Sequence, residues 1–94
     1  MPYFIVRDPH SGEMGVLEGE NGGDAVLTWD ELLSNKEIQY KIIEEEFDGC
    51  TNDYIGVLLS KYQVTEIYRY SMILEMVERR LDGDRRILIH LEKN

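Results

Sequence analysis

Three features of this sequence predict an α+β fold, a small antiparallel sheet packed against two or three helices. Strand-like runs stand at the start and the end of the chain, with helix-like runs gathered between them rather than alternating with strands. Apolar residues between Thr65 and Leu81 recur at spacings of three and four, the period of an amphipathic helix. Residues Arg85 to Glu92 alternate as a strand does. The chain of 94 residues has room for a single domain, 1–94, with one core. A domain of this size buries roughly 60–70% of its unfolded surface and has no volume left for a large substrate cavity.

Tyr3-Phe4-Ile5-Val6 is a β-branched and aromatic run, closed by the turn residues of Asp8-Pro9-His10-Ser11-Gly12, and Gly15-Val16-Leu17-Glu18 returns as the second arm of a hairpin. Glu20-Asn21-Gly22-Gly23-Asp24 is the strongest break, since glycine adopts positive φ at little cost. It reads either as a second hairpin turn into Ala25-Val26-Leu27 or as a loop. Thr28-Trp29-Asp30-Glu31 fits a capping box and places a helix start near Trp29, with Ser34-Asn35 ending it two turns later.

Lys36 to Asp48 gives two signals. Ile38-Gln39-Tyr40-Lys41-Ile42 alternates like a strand, while the surrounding composition is that of a helix with a poor apolar stripe; helix is the favoured reading. Asp48 to Asn52 forms a loop that supplies a cap for a short helix from Asp53 to Tyr62. A long helix is expected from Thr65 to about Leu81, with Ile67, Tyr70, Ile73, Leu74, Val77 and Leu81 on one face and Arg79 and Arg80 at its negative end. Asp82-Gly83-Asp84 stops it. The last strand, carrying Ile87, Ile89 and Leu91 on one side and Leu88 and His90 on the other, is expected to pair with the first hairpin.

Charge is divided unequally along this chain. Residues 8–53 hold thirteen acids against two bases, Lys36 and Lys41, a formal −11 within a total of −9. Such a concentration places a strong negative potential on part of the surface, which suits a basic partner. The residues expected to meet that partner are Asp30, Glu37, Glu44, Glu45, Glu46, Asp48 and Asp53. Direct nucleic-acid binding does not fit. The four arginines Arg79, Arg80, Arg85 and Arg86 are offset by Asp82 and Asp84, and the acidic half repels phosphates.

Catalytic chemistry has little to stand on. Cys50 lies beside Asp48 and Asp53, whose charges raise a thiol's pKa, and His10 has only the common turn neighbours Asp8 and Ser11. The sequence contains no phosphate-binding loop, dinucleotide fingerprint, zinc-protease helix or nucleophile elbow, and Glu44-Glu45-Glu46-Phe47-Asp48 lacks the alternating order of a calcium loop. No catalytic group, metal or cofactor is therefore expected. With one cysteine no internal disulfide forms, and with no apolar run near the roughly 20 residues of a membrane span, nor a signal-peptide pattern, a cytoplasmic location is expected.

The leading functional expectation is a non-catalytic protein-binding module whose acidic half engages a basic surface, in the manner of small phage or mobile-element inhibitors that mimic DNA. Carboxylates two apart on a strand lie roughly 6.5–7 Å apart and those three or four apart on a helix roughly 5–6 Å, both near the spacing of phosphates along a strand. The alternative is a small homodimeric regulatory or structural protein, in which the acids serve solubility. Its interface would be Tyr68, Met72 and Met76, a second apolar stripe on the long helix.

Overall fold

In a computed structural model the described residues are 2–67 and the strand at 87–91. They form strands β1 (Tyr3–Arg7) and β2 (Met14–Glu18), helices α1 (Gly22–Leu33), α2 (Lys36–Glu46) and α3 (Thr51–Lys61), then strands β3 (Gln63–Ile67) and β4 (Ile87–Leu91). The strands make one antiparallel sheet in the order β3-β1-β2-β4, an α+β fold as the segregated pattern predicts.

The hairpin closes through its own side chains. Asp8 Oδ1 accepts the backbone N–H of His10 at 2.9 Å and of Ser11 at 3.4 Å, and Ser11 Oγ accepts the N–H of Glu13 at 3.1 Å. These bonds occupy the polar groups of the turn, and the N–H of His10 holds the Asp8 carboxyl below its ordinary value. Phe4 then lies opposite Leu17 and Val6 opposite Gly15, so that Phe4, Val6 and Leu17 share the face that meets the helices.

Helix α1 starts seven residues before the capping box at Thr28 predicts. Asn21 is the cap, its Oδ1 accepting the Asp24 N–H at 2.9 Å while Asp24 Oδ2 accepts the Glu20 N–H at 3.1 Å. Ala25-Val26-Leu27 is accordingly helix rather than a returning strand, and Thr28 is a buried mid-helix residue. Gly22 and Gly23 sit in the first turn because the helix end lies close against its neighbours: a Cβ at Gly22 would stand 3.3 Å from Val64 Cγ1, and one at Gly23 3.0 Å from Ile55 Cγ2. The helix ends at Ser34, as expected, with the Ser34 N–H donating to Asp30 O at 3.0 Å.

The ambiguous stretch after it is helical, capped by Asn35, whose Oδ1 accepts the Ile38 N–H at 2.8 Å. Helix α3 begins at Thr51, with Cys50 at the cap position and no side-chain cap bond. Its end lies close to the predicted one, but the next segment departs from the prediction. Thr65-Glu66-Ile67, expected to open the long helix, belongs to β3, where Gln63 to Ile67 pair in register with Arg7 to Tyr3. Val64, Thr65 and Ile67 are β-branched, and five residues of pairing with β1 outweigh a helical spacing that only Ile67 supported at this end.

The rest of that predicted helix, its glycine stop, and Tyr68, Met72 and Met76 lie outside the described residues. Strand β4 pairs with β2, as predicted, with one irregularity. The register slips at Val16/Leu17, so Ile89 lies opposite Val16 and Ile87 opposite Leu17.

The core joins Phe4, Val6 and Leu17 of the sheet to Ala25, Val26 and Trp29 of α1, Ile43 of α2, and Tyr54, Leu58 and Tyr62 in and after α3. Trp29 is wholly buried and meets Tyr62 edge-on at 6.4 Å. Helix α1 lies at the centre of the layer, in contact with β1, β2, β3, α2 and α3. No helix among the described residues is long and apolar enough to cross a membrane.

Candidate functional site

The seven acids expected to face a partner divide into groups with different surroundings. Asp30 turns inward. Its Oδ2 accepts a hydrogen bond from Gln39 Nε2 of α2 at 3.0 Å and a short one from the Tyr54 hydroxyl of α3, so one carboxylate oxygen ties three helices together. Gln39 Nε2 also donates to Leu27 O at 3.0 Å. Burial, then the hydrogen bond to Asp30 and its charge, raise the Tyr54 hydroxyl well above its usual range. An acid engaged in this way is a packing element, and the surface reading loses Asp30.

Glu37 and Asp53 are exposed in the first turns of α2 and α3, where the positive end of each helix favours a carboxylate. Local helix stability is a sufficient reason for both. Glu44, Glu45 and Glu46 are different: they occupy the last turn of α2, at its negative end, and no base stands in that turn. All three are exposed. The dipole opposes them, at a cost of roughly a few tenths of a kcal/mol each.

Asp48 completes this group from outside the helix. Helix α2 stops at Phe47, and Asp48 takes a left-handed φ of 50°. Asp tolerates that conformation better than most residues. Gly49 continues the turn at φ 76°, and its N–H donates to Ile43 O at 2.9 Å. Glu44 folds back here, since a Cβ on Gly49 would stand 3.3 Å from Glu44 Oε1. The connection from Phe47 to Cys50 is short, and Asp53 follows in the first turn of α3.

The arrangement is therefore an acidic corner of four exposed carboxylates at the end of α2 and in the turn after it, Glu44, Glu45, Glu46 and Asp48, with Glu37 roughly 10 Å away along α2 on the Glu44 side. Lys41 lies between Glu37 and the last turn, four residues after Glu37 and three before Glu44, and offsets part of the charge. A shallow, open depression beside α2 is lined by Lys36, Glu37 and Tyr40. Tyr40 is 66% exposed.

Cys50 is exposed at the start of α3. Among the described residues, no group of three or more His, Cys, Asp and Glu side chains is placed to hold a metal ion. The functional expectations therefore rest on charge and its placement. The residue that apolar patterning missed is Gln39, buried on α2 one turn before Ile43, where only a larger apolar side chain would have been counted as core. The chain matches no protein-family model, no curated protein and no solved structure.

Proposed function

We propose that this chain is a non-catalytic binding protein whose acidic corner engages a basic surface on a protein partner, of the kind that otherwise holds a nucleic-acid backbone. The observation that supports this reading most is the placement of Glu44, Glu45, Glu46 and Asp48. Where acids of this chain serve the fold they are engaged or well placed: Asp8 holds a turn, Asp24 closes a cap, Asp30 joins three helices, and Glu37 and Asp53 suit helix starts. Among the described residues the four at the corner have no such role, and the three on α2 sit at the end of the helix that disfavours them. A surface acid that opposes its own helix is better explained by something outside the fold.

Electrostatic capture of this kind acts on association rate and weakens steeply with salt. The test begins with a partner captured at low salt on the immobilised chain and identified. Its affinity is then measured for the wild type and for a variant carrying Glu44→Gln, Glu45→Gln, Glu46→Gln and Asp48→Asn. The expected result is at least a tenfold loss at low salt, a flatter salt dependence, and competition by duplex DNA. Equal affinity of the two proteins at low salt would remove the corner from the reading.

A further inference from the structure

We infer that α2 is a latched helix, able to open as a unit while α1, α3 and the sheet stay folded, with Gln39, Asp30 and Tyr54 as the latch. The inference does not depend on the identity of any partner. Among the described elements, α1 is the main packing partner of α2, whereas α1 itself also packs on three strands and on α3. Only Gln39 and Ile43 of α2 are buried, and Ile38, 48% exposed, and Tyr40 contribute little to the core. A helix of eleven residues with so small a buried face is marginal by itself in water, so α2 persists through what holds it to α1.

What holds it is largely polar. Gln39 reaches both Leu27 O and Asp30 Oδ2, and Tyr54 fixes that same carboxylate from α3. Beyond this network the contacts are Ile43, the half-buried Ile42, and Phe47, whose ring meets Tyr54 edge-on at 5.3 Å. The acids of the last turn strain the far end, and the backbone leaves α2 through two residues of positive φ. Regions with few buried apolar contacts open at lower free energy than the whole molecule. Opening here would release Gln39 and dissolve the ordered array of Glu44, Glu45 and Glu46, so the latch governs whether the acidic corner exists as a surface.

Native-state hydrogen exchange on the whole chain, read by NMR across low urea concentrations, tests this. Amides from Tyr40 to Glu46 should exchange with one common opening constant, roughly a hundredfold larger than that of Val26 to Asp30, and with a smaller urea dependence. Gln39→Ala should raise the α2 constant roughly tenfold further and leave α1 unchanged, since alanine keeps helix propensity and removes only the latch. Glu46→Lys, which leaves the latch intact and suits the helix end, should lower it by about twofold. The inference fails if α2 and α1 exchange with the same constant and urea dependence, if the α2 amides show unrelated constants, or if Gln39→Ala accelerates both helices alike.

Discussion

Helices α1 and α2 are neighbours of nearly equal length, drawn from the same acidic stretch, yet they hold their carboxylates in opposite ways. Asp30 of α1 faces inward, accepts two side-chain donors and fixes the helical layer; Glu45 of α2 faces solvent at the wrong end of its helix. The difference follows from position in the fold. Helix α1 is enclosed by strands and helices, so an acid on it must be hydrogen-bonded or excluded, whereas α2 buries one stripe and leaves its remaining circumference unconstrained. Net charge in a sequence window therefore does not measure surface potential until the inward acids are removed from the count.

The largest effect should come from breaking the inward member. Asp30→Ala leaves the Tyr54 hydroxyl without its acceptor and the Gln39 amide with Leu27 O alone, a loss of about 1–3 kcal/mol. Urea denaturation followed by tryptophan fluorescence should show it as a lower midpoint, and a variant as stable as the wild type would refute the structural role of Asp30.

A smaller effect sharpens the same contrast through pH. The folded state holds the Tyr54 proton above the ordinary value of 10.0, while the unfolded chain releases it near that value. The stabilisation is whole below pH 10 and is lost as the pH rises towards the folded-state value. Tyr54→Phe should cost about 1 kcal/mol at neutral pH and should remove the part of the alkaline decline due to this group. Melting curves from about pH 7 to 11 on both proteins would reveal a difference that narrows with pH; a constant difference would show that Tyr54 is not involved.

The smallest effect has the opposite sign. Glu45→Gln should raise stability by about 0.3 kcal/mol, because the α2 dipole disfavours this charge by more than the exposed pairing with Lys41, one turn earlier, favours it. Differential scanning calorimetry at low and high salt should find the gain only at low salt. A loss of stability would mean that Glu45 serves the fold, and would weaken the binding reading.

Much of the fold was legible because its signals are local. The hairpin appears in Tyr3-Phe4-Ile5-Val6 and its polar turn, and the end of α1 in Ser34-Asn35. The start of α1 was not, because glycines at its first turn contradict helix propensity and make sense only from the distance to Ile55 and Val64. Strand β3 was obscured by Ile67, which fits a helical stripe as well as it fits the strand. For the candidate site, composition located the acidic half and the cluster at Glu44 to Asp48. It could not see that Asp30 points the other way, since that depends on Gln39 and Tyr54, distant in sequence and neither of them charged at neutral pH.

The strand order carries a kinetic consequence. The two strands first in the chain lie at the middle of the sheet, and each is flanked by a strand from beyond the three helices, with Tyr3 meeting Ile67 and Met14 meeting Leu91. The hairpin can close early at low entropic cost, but its outer edges stay unpaired until most of the chain has been placed. Folding should be slow for a domain of this size. In that interval the bare backbone of β1 and β2 is exposed to other chains, and the charge of −9 that all copies carry supplies a mutual repulsion against strand exchange before the native partners arrive.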